Sequence, residues 1–439
     1  MVTCNQVLLS IEKLIYGGDG LARAPAAPDG RSLAVFVPFV LPGERIEAEI
    51  AQQKTGFAQG SVTQLVEASA ERVAARCPYF RQCGGCHYQH IPYPRQLEFK
   101  AGILRETLRR VAKIELRDEI ILHASPPWHY RNRTRLQVET VPEFALGYFR
   151  FGSHELLPVR ECPISSPLIN RALARLVESR GCDCPASVEE CEFLADAADA
   201  HLLAWAFCER GAGKKELLRW AETLRREFPA LAGVSFFPSR WRSEDEAPAN
   251  LKPLAQLGDH ATRYRVGETD YRVSAGAFFQ VNRHLVDELV SVVTANASGE
   301  TALDLYAGVG LFSAGLAPGF HHIFAVEASQ ISHSDLVQNG PANVKAVGTR
   351  TEDYLRNPPV RKRPDLVVMD PPRTGAGKFV TRSLVELGAP RLRYVSCDPA
   401  TLARDLAPLL ASGYRIEEAH LFDLFPQTFH IETVMLLAR

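Results

Sequence analysis

Apolar and polar positions alternate through the first part of the chain. Short β-type runs at 7–11, 33–37, 45–50 and 60–66 are separated by turns rich in Gly, Pro and Asp. Successive side chains of a strand point to opposite faces, so this pattern predicts strands with one buried face. Short strands at this spacing are typical of a small β-barrel, which we expect over residues 1–68.

A helical stripe follows the barrel. It consists of Leu97, Ala101, Leu104, Leu108 and Val111. Intervals of three and four place these side chains on one face of an amphipathic helix near 93–115. We assign the helix to an α+β central domain, residues 69–262, and its apolar face suits packing on the catalytic domain that follows. A charged, Ala- and Pro-rich stretch at 243–250 predicts a loop.

From about residue 265 the pattern changes to strands alternating with helices. Strand-like runs stand at 301–306, 322–327, 344–347, 365–370 and 393–396. This alternation is typical of an α/β fold with a doubly wound sheet. Ligands of such sheets bind beyond the carboxyl ends of the strands, so we expect a Rossmann-like catalytic domain over 263–439 with its chemistry at those ends.

The composition fits a folded, multidomain protein, since 439 residues exceed what one core usually serves. No basic segment leads into a long apolar run at the start, and no apolar stretch is long enough to span a membrane. We therefore expect a cytoplasmic protein with no membrane partner. Its cysteines are then thiols, and a cluster of them favours metal binding or catalysis over disulfides.

A formal charge of -1 gives no global sign of nucleic-acid binding, so any basic face must be local. The stretch 128–135 alternates arginines with other residues. On a strand these arginines would share one face, which predicts a contact with RNA. A solvated strand face is the alternative.

The first catalytic strand runs into a glycine turn, and glycine lets the backbone approach a ligand closely. The turn holds Tyr306, Gly308 and Gly310, and alone it is a weak signal. A dinucleotide fingerprint would have glycine where this chain has Ser313, which argues against nicotinamide or flavin. Glu327 ends the next strand, where a carboxylate can accept both ribose hydroxyls, although a capping acid would look the same.

Asp370 ends a later strand, ahead of Pro371, Pro372 and Arg373. The prolines stiffen this loop, so we expect Asp370 at the rim of the cofactor pocket. With the glycine turn and Glu327, this set resembles the class I methyltransferases that use S-adenosylmethionine (SAM).

Cys397 follows the last of these strands and precedes a helix expected to begin near Ala400. A helix N-terminus favours the thiolate form of cysteine, whereas the neighbouring Asp398 opposes it, so a nearby base or cation is also expected. Glu432, just before the final apolar run, is a candidate general base. Taken singly, the two would ordinarily be a packing thiol and a strand-end acid.

Cys77, Cys83 and Cys86 stand with five and two residues between them, and glycines beside them allow a tight wrap. Three close cysteines with one distant partner fit an iron-sulfur cluster better than zinc, and Cys162 is the best fourth ligand. Four other cysteines could form a second site, but their irregular spacing and apolar neighbours favour buried thiols. They are Cys182, Cys184, Cys191 and Cys208.

Motifs in this order along the chain resemble the RNA 5-methyluridine methyltransferases. They stand at 279–282, 304–310, 370–373, 396–401 and 430–434. In front of them, residues 17–23, 36–38 and 41–44 resemble the TRAM domain, an OB-like RNA-binding barrel. The resemblance spans nearly the whole chain.

The resemblance implies methylation of carbon 5 of a uridine in RNA, with Cys397 as covalent nucleophile and Glu432 as general base. It also implies a 4Fe-4S cluster on Cys77, Cys83, Cys86 and Cys162. The expected SAM-binding residues are Gln280, Tyr306, Gly308, Gly310, Glu327 and Asp370. Two departures stand out: Ala307 replaces a frequent cysteine, and 330–343 is short and polar, which leaves the cofactor helix uncertain.

The RNA target stays open at this point. The barrel favours 23S rRNA, with a tRNA uridine-54-type target as the alternative, and a monomer without an obligatory protein partner is expected. One rival is an amino-methyltransferase that holds an exocyclic amine with the Asp370 loop and needs no Cys397. Another is a non-catalytic RNA-binding protein on the same fold.

Overall fold

The computed structural model describes residues 6–24, 32–54, 56–239, 252–357 and 363–439, with only the backbone described at 51–54. The predicted loop at 243–250 lies outside these ranges.

A closed barrel forms the front of the chain. Its strands are β1 (Gln6–Leu14), β2 (Asp19–Arg23), β3 (Ala34–Pro38), β4 (Arg45–Lys54) and β5 (Phe57–Glu67). They close in the order β1-β2-β3-β5-β4. Alternate apolar side chains fill the interior, among them Leu9, Val35, Val37 and Ile46. The small barrel predicted from period-two alternation is present.

Helix α1 (Tyr93–Ala112) follows the cysteine segment. Pro94 stands in its first turn, where a missing N–H costs nothing, and Lys113 ends it in a left-handed conformation with φ 59°. Leu97, Leu104 and Leu108 are buried, whereas Val111 is 53% exposed, so the predicted stripe ends one turn early.

The central sheet has seven strands among the described residues. The first short strand after α1, β6 (Ile121–His123), belongs to the catalytic sheet and not to the central one. The central strands are β7 (Arg133–Glu139), β8 (Ala145–Phe149), β9 (Leu156–Pro158), β10 (Val188–Ala195), β11 (Leu202–Cys208), β12 (Leu231–Pro238) and β13 (Ala255–Gly258). Their order is β13-β12-β11-β10-β7-β8-β9. Helices α2 (Pro167–Glu178) and α3 (Lys214–Glu227) cover one face with an apolar core.

The basic strand predicted to contact RNA is neutralised within this sheet. Arg133 pairs with Glu192 at 2.5 Å and lies over the ring of Trp205. Arg135 donates to Glu190 at 2.6 Å and lies over Phe207. Carboxylates of the neighbouring strand β10 therefore pair with both arginines, and RNA contact by the stretch 128–135 stays a prediction.

The catalytic region opens with the hairpin β14 (Ala261–Val266) and β15 (Thr269–Ser274). Its further strands are β16 (Gly299–Leu305), β17 (Phe320–Glu327), β18 (Val344–Gly348), β19 (Leu366–Met369), β20 (Arg391–Ser396), β21 (Arg415–Phe422) and β22 (Glu432–Ala438). Its helices are α4 (Val286–Thr294), α5 (Leu311–Leu316), α6 (Gln330–Asn339), α7 (Thr351–Arg356), α8 (Gly377–Leu387) and α9 (Pro399–Ala411).

The catalytic sheet runs β18-β17-β16-β19-β20-β22-β21-β6. The strands from β18 to β20 are parallel, and β22 is antiparallel to both of its neighbours. β6 adds a parallel edge strand beside β21. α1 packs on α9, and its apolar residues share one core with the sheet. The α/β fold with a Rossmann-like sheet, an N-terminal barrel and a mixed central part is confirmed.

Among the described residues, no helix has both the length and the apolar character needed to cross a membrane.

Candidate active site

The carboxyl ends of the parallel strands meet at one edge of the catalytic sheet. Tyr306, Asp370 and Cys397 directly follow β16, β19 and β20, and Glu327 ends β17. Glu432 reaches the same edge from the opposite direction, because β22 is antiparallel to β20 and Thr433 pairs with Ser396. Continuing this register by one residue places Glu432 opposite Cys397.

The glycine turn after β16 contains residues with positive φ, a backbone conformation that glycine adopts more easily than other residues. Gly308 and Gly310 have φ values of 56° and 90°, and Tyr306 has 61°. A Cβ at Gly310 would lie 2.7 Å from Cδ1 of Leu336, so α6 packs against the turn at this glycine. The turn thus presents backbone groups at the strand edge.

Glu327 and the glycine turn are in direct contact. The Glu327 carboxylate accepts hydrogen bonds from the N–H groups of Gly308 at 2.8 Å and Ser329 at 2.6 Å. Burial raises the pKa of Glu327, and these backbone donors partly offset the effect. Ser329 also caps α6 by accepting from Ser332, so the segment with the unusual sequence forms a capped helix.

Ser313 stands where a dinucleotide fingerprint would have glycine, and its side chain contacts Asp304. The Ser313 hydroxyl donates to Asp304 at 2.5 Å, and both side chains are buried. Burial raises the pKa of Asp304 to about 7, although this hydrogen bond lowers it. The pair ties α5 to β16 beneath the turn.

Gln280 and Asp370, both predicted to bind the cofactor, are neighbours. The Gln280 amide donates to Asp370 at 3.4 Å. The backbone carbonyl of Gln280 accepts from the amide of Asn132 at 3.2 Å, which links the site to the central sheet. Burial raises the pKa of Asp370 above its usual value.

The surroundings of Cys397 favour its protonated form. Burial raises the pKa of Cys397, and repulsion from Glu432, Asp370 and Asp398 raises it further. As expected from the sequence, the Asp398 carboxylate opposes ionisation of Cys397 and offsets the effect expected of the helix N-terminus. Asp398 caps the N-terminus of α9, because its carboxylate accepts hydrogen bonds from the N–H groups of Ala400 and Thr401 at 3.0 and 2.8 Å.

Arg373 is the cation that the sequence predicted near Cys397. Its guanidinium lowers the pKa of both Cys397 and Glu432, although burial and repulsion from Asp370 still raise the pKa of Glu432 well above its usual value. The Arg373 carbonyl accepts from the Thr401 hydroxyl at 3.2 Å, which ties the Asp370 loop to α9. Sequence reasoning quoted Arg373 in a motif but gave it no role.

The loop that leads into Glu432, residues 423–431, is held by the cysteine segment and α1. Lys100 donates to Asp423 at 2.6 Å, and both side chains are fully buried. Gln96 and Gln427 exchange two hydrogen bonds of 3.0 and 2.9 Å. The backbone N–H of His87, next to Cys86, donates to the Gln427 carbonyl at 3.0 Å. No local pattern predicted these contacts.

The four predicted cluster cysteines share one neighbourhood. Burial raises the pKa of Cys77, Cys83 and Cys86, to about 11 for Cys83, and Cys162 raises the pKa of all three further. Among the residues that the structure describes, however, no three His, Cys, Asp or Glu side chains form a group that could hold a metal ion as they stand.

The other cysteines, Cys182, Cys184, Cys191 and Cys208, lie in or against the apolar core of the central sheet. Burial is the main cause that raises the pKa of Cys184, Cys191 and Cys208. This placement agrees with their prediction as packing thiols.

The sheet, the glycine turn with its carboxylate and the strand-end cysteine define a Rossmann-like transferase of the methyltransferase class. A family described as tRNA (Uracil-5-)-methyltransferase matches residues 362–439, which include Cys397 and Glu432. The 23S rRNA (uracil(1939)-C(5))-methyltransferase RlmD of Chromohalobacter salexigens is 34% identical over 98% of this chain and 89% of its own length. An uncharacterized RNA methyltransferase of Halalkalibacterium halodurans is 31% identical over 99% and 98%.

A solved structure, the Pyrococcus abyssi tRNA (uracil-54, C5)-methyltransferase in complex with S-adenosyl-L-homocysteine, has the same fold. Its TM-score is 0.72 with 24% identity, over 98% of this chain and 99% of that one. The chain belongs to the RNA uracil-C5 methyltransferase family, and the resemblance found in the sequence is confirmed.

Proposed function

We propose that this enzyme methylates carbon 5 of a specific uridine in RNA through a covalent bond between Cys397 and carbon 6 of the uracil. The observation that carries the proposal is the junction of β20 and β22, which sets Glu432 opposite Cys397 beside Asp370. Neither an amino-methyltransferase nor a non-catalytic RNA-binding protein needs this arrangement.

The residues divide the proton transfers between them. Asp370 can accept the thiol proton of Cys397 as the sulfur bonds to carbon 6, and the ring electrons form an enolate. Carbon 5 of the enolate then takes the methyl group. Glu432 removes the proton from carbon 5, the double bond between carbons 5 and 6 re-forms, and the bond from carbon 6 to sulfur breaks. Arg373 stabilises the negative charge of Cys397 during addition and release.

SAM would supply the methyl group as a sulfonium. Glu327, at the end of β17, suits the ribose hydroxyls, and the turn at Gly308 and Gly310 allows close approach of the backbone. Tyr306, Gln280 and Asp370 border the same edge, with the Gln280 amide turned to Asp370. The solved relative carries S-adenosyl-L-homocysteine, which supports a site for SAM in this chain.

We further propose 23S rRNA as the substrate, with tRNA as the alternative that the experiment below separates. The relatives named for 23S rRNA align with nearly the whole chain, barrel included. A target uridine must leave its stack to reach Cys397, which is easiest in a single-stranded loop. We propose that the chain divides into an RNA-binding barrel at 1–68, a central domain at 69–262 and a catalytic domain at 263–439. We expect a monomer that works in the cytoplasm.

An iron-sulfur cluster on Cys77, Cys83, Cys86 and Cys162 completes the proposal. Cysteines whose ionised forms repel one another suit a cationic iron centre, which takes thiolate ligands. Cys86 directly precedes His87, whose N–H holds the loop that leads into Glu432. The cluster would therefore serve structure, since the thiolate route needs no electron.

The test uses RNA in which 5-fluorouridine replaces uridine. Fluorine cannot leave as a cation, so the enzyme should stall as a covalent adduct that survives denaturing electrophoresis. We expect a SAM-dependent adduct with a 23S rRNA transcript and none with Cys397→Ala. An adduct with a tRNA transcript alone would reassign the substrate, and no adduct with either RNA would overturn the nucleophile assignment.

A further inference from the structure

The turn between β1 and β2 carries one barrel side chain to the nucleophile. The turn is closed by a hydrogen bond of 2.9 Å from the Ile15 N–H to the Asp19 carbonyl. Gly17 and Gly18 have φ values of 107° and 94°, a conformation that glycine adopts without strain. A Cβ at Gly18 would lie 3.0 Å from His87, so the turn packs closely on the cysteine segment.

Tyr16, at the tip of this turn, contacts the backbone of Cys397. Its hydroxyl donates to the Cys397 carbonyl at 3.3 Å. Its ring meets the Phe429 ring edge-on, with 5.7 Å between centroids and 88° between planes. One side chain of the barrel thus touches both the nucleophile's strand end and the loop that leads into Glu432.

The environment keeps this hydroxyl a donor. Burial raises the pKa of Tyr16, and the nearby Asp398 carboxylate raises it further, so the phenol is protonated at physiological pH. Asp398 is also the cap of α9. The barrel itself is tied down beside the turn, because Lys13 of β1 pairs with Glu106 of α1 at 2.5 Å.

We infer that Tyr16 is a positioning residue, through which the N-terminal barrel fixes the backbone of Cys397 for attack on carbon 6. The inference rests on the proposed function, since it assigns a purpose to the nucleophile's geometry. Reaction rates fall steeply when a reacting group is misplaced, even by a change away from the chemistry. The catalytic site is then complete only with the barrel in place.

The experiment must distinguish a positioning role of Tyr16 from a direct contact between Tyr16 and RNA. Tyr16 also lines a cavity of about 700 Å³ between the barrel and α1, together with Lys13, Arg23, Phe36 and Arg110. A residue that only gripped RNA would change affinity for RNA. A positioning residue would change the rate of the covalent step at saturating RNA.

The experiment compares Tyr16→Phe with Tyr414→Phe in the full-length protein. Both lose a phenol hydroxyl that donates to a backbone carbonyl, but Tyr414 donates to Ala389, at 2.6 Å, away from Cys397. With the 5-fluorouridine 23S rRNA transcript, we expect Tyr16→Phe to slow adduct formation at saturating RNA roughly threefold to tenfold, the effect of one hydrogen bond. Its dissociation constant for RNA should match that of wild type, and Tyr414→Phe should keep the full rate.

An unchanged rate in Tyr16→Phe, or a loss confined to RNA affinity, would overturn the inference while leaving the proposed function intact. If wild type itself forms no adduct, the proposed function fails, and alkylation of Cys397 by iodoacetamide still tests Tyr16. Trypsin releases residues 394–404 with Cys397 as their only cysteine, so mass spectrometry can follow this thiol alone. Alkylation should be at least about twofold faster in Tyr16→Phe, because a freed carbonyl lets the strand end move; equal rates would overturn the inference.

Discussion

At the scale of single residues, the site gathers buried acids around a thiol. Cys397, Asp370 and Glu432 all have pKa values raised by burial, and Arg373 is the cation that counteracts this for Cys397 and Glu432. Burial disfavours the charged form of each group, which makes the ionised carboxylates stronger bases than they would be in water. Perturbed pKa values cluster at functional sites, which makes this edge of the sheet a candidate site.

Glu432→Gln should slow release of the adduct far more than its formation, because the proposed mechanism uses Glu432 only after methyl transfer. Loss of one general base costs on the order of a hundredfold to ten-thousandfold. Rapid-quench assays with unmodified RNA would follow the rise and decay of the adduct. Glu417→Gln, an exposed residue of β21, is the control. Equal slowing of both steps would indicate a structural role for Glu432.

Asp304 gives a pH dependence with a definite sign. Burial raises its pKa from 3.8 to about 7, so between these values the folded state holds a proton that the unfolded state releases. Its contribution to the free energy of unfolding is complete below the lower value and is lost as pH rises to the upper one. Asp304→Asn should remove this slope, as measured by urea denaturation at several pH values. Asp118→Asn, at an exposed position, should keep it.

At the scale of elements, the loop 423–431 depends on α1, a helix from a distant part of the sequence. Lys100 and Asp423 form a fully buried ion pair through one carboxylate oxygen, and the second Asp423 oxygen has no hydrogen-bond partner among the described residues. Removing one partner of a buried pair leaves an uncompensated charge. α1 therefore stabilises the approach to Glu432 as well as the back of the sheet.

Lys100→Met should lower the free energy of unfolding by about 3–5 kcal/mol, the usual cost of breaking a buried pair. Lys13→Met is the matched control, since Lys13 pairs with Glu106 of α1 but its side chain is 40% exposed. That change should cost only about 0.2–1 kcal/mol. Denaturant titration of both variants gives the comparison, and similar losses would show that burial of the Lys100 pair has no special weight.

At the scale of the whole molecule, the catalytic site draws on all three parts of the chain. The barrel brings Tyr16, the cysteine segment and α1 hold the loop before Glu432, and the central strands hold Gln280 through Asn132. β6 completes the edge of the catalytic sheet. Removal of the barrel or of the cysteine segment should therefore impair chemistry as well as RNA binding.

The proposed cluster predicts colour and iron. Protein purified without oxygen should be brown and contain about four irons per chain. Cys83→Ser should lose iron and weaken folding and RNA affinity more than SAM affinity. Cys191→Ser, which changes a buried thiol of the central core, should keep its iron. Colourless protein with stoichiometric zinc, prepared with iron supplied, would contradict the cluster and leave the methyltransferase assignment standing.

The sequence alone determined the features that are local. Period-two alternation specified the barrel strands, the apolar stripe specified α1, and the strand-helix alternation specified the sheet and the edge where Tyr306, Glu327, Asp370 and Cys397 would meet. These features depend on neighbours along the chain, and side-chain spacing within an element is set by backbone geometry.

Only the tertiary structure decided which side chains from distant parts of the sequence contact one another. The antiparallel β22 set Glu432 opposite Cys397, and burial among acids raised the pKa of that cysteine. Carboxylates of β10 neutralised the arginines of β7. Tyr16 contacts Cys397 from the far end of the sequence. Burial, charge pairing and strand partners are properties of the packed chain, because residues distant in sequence create them.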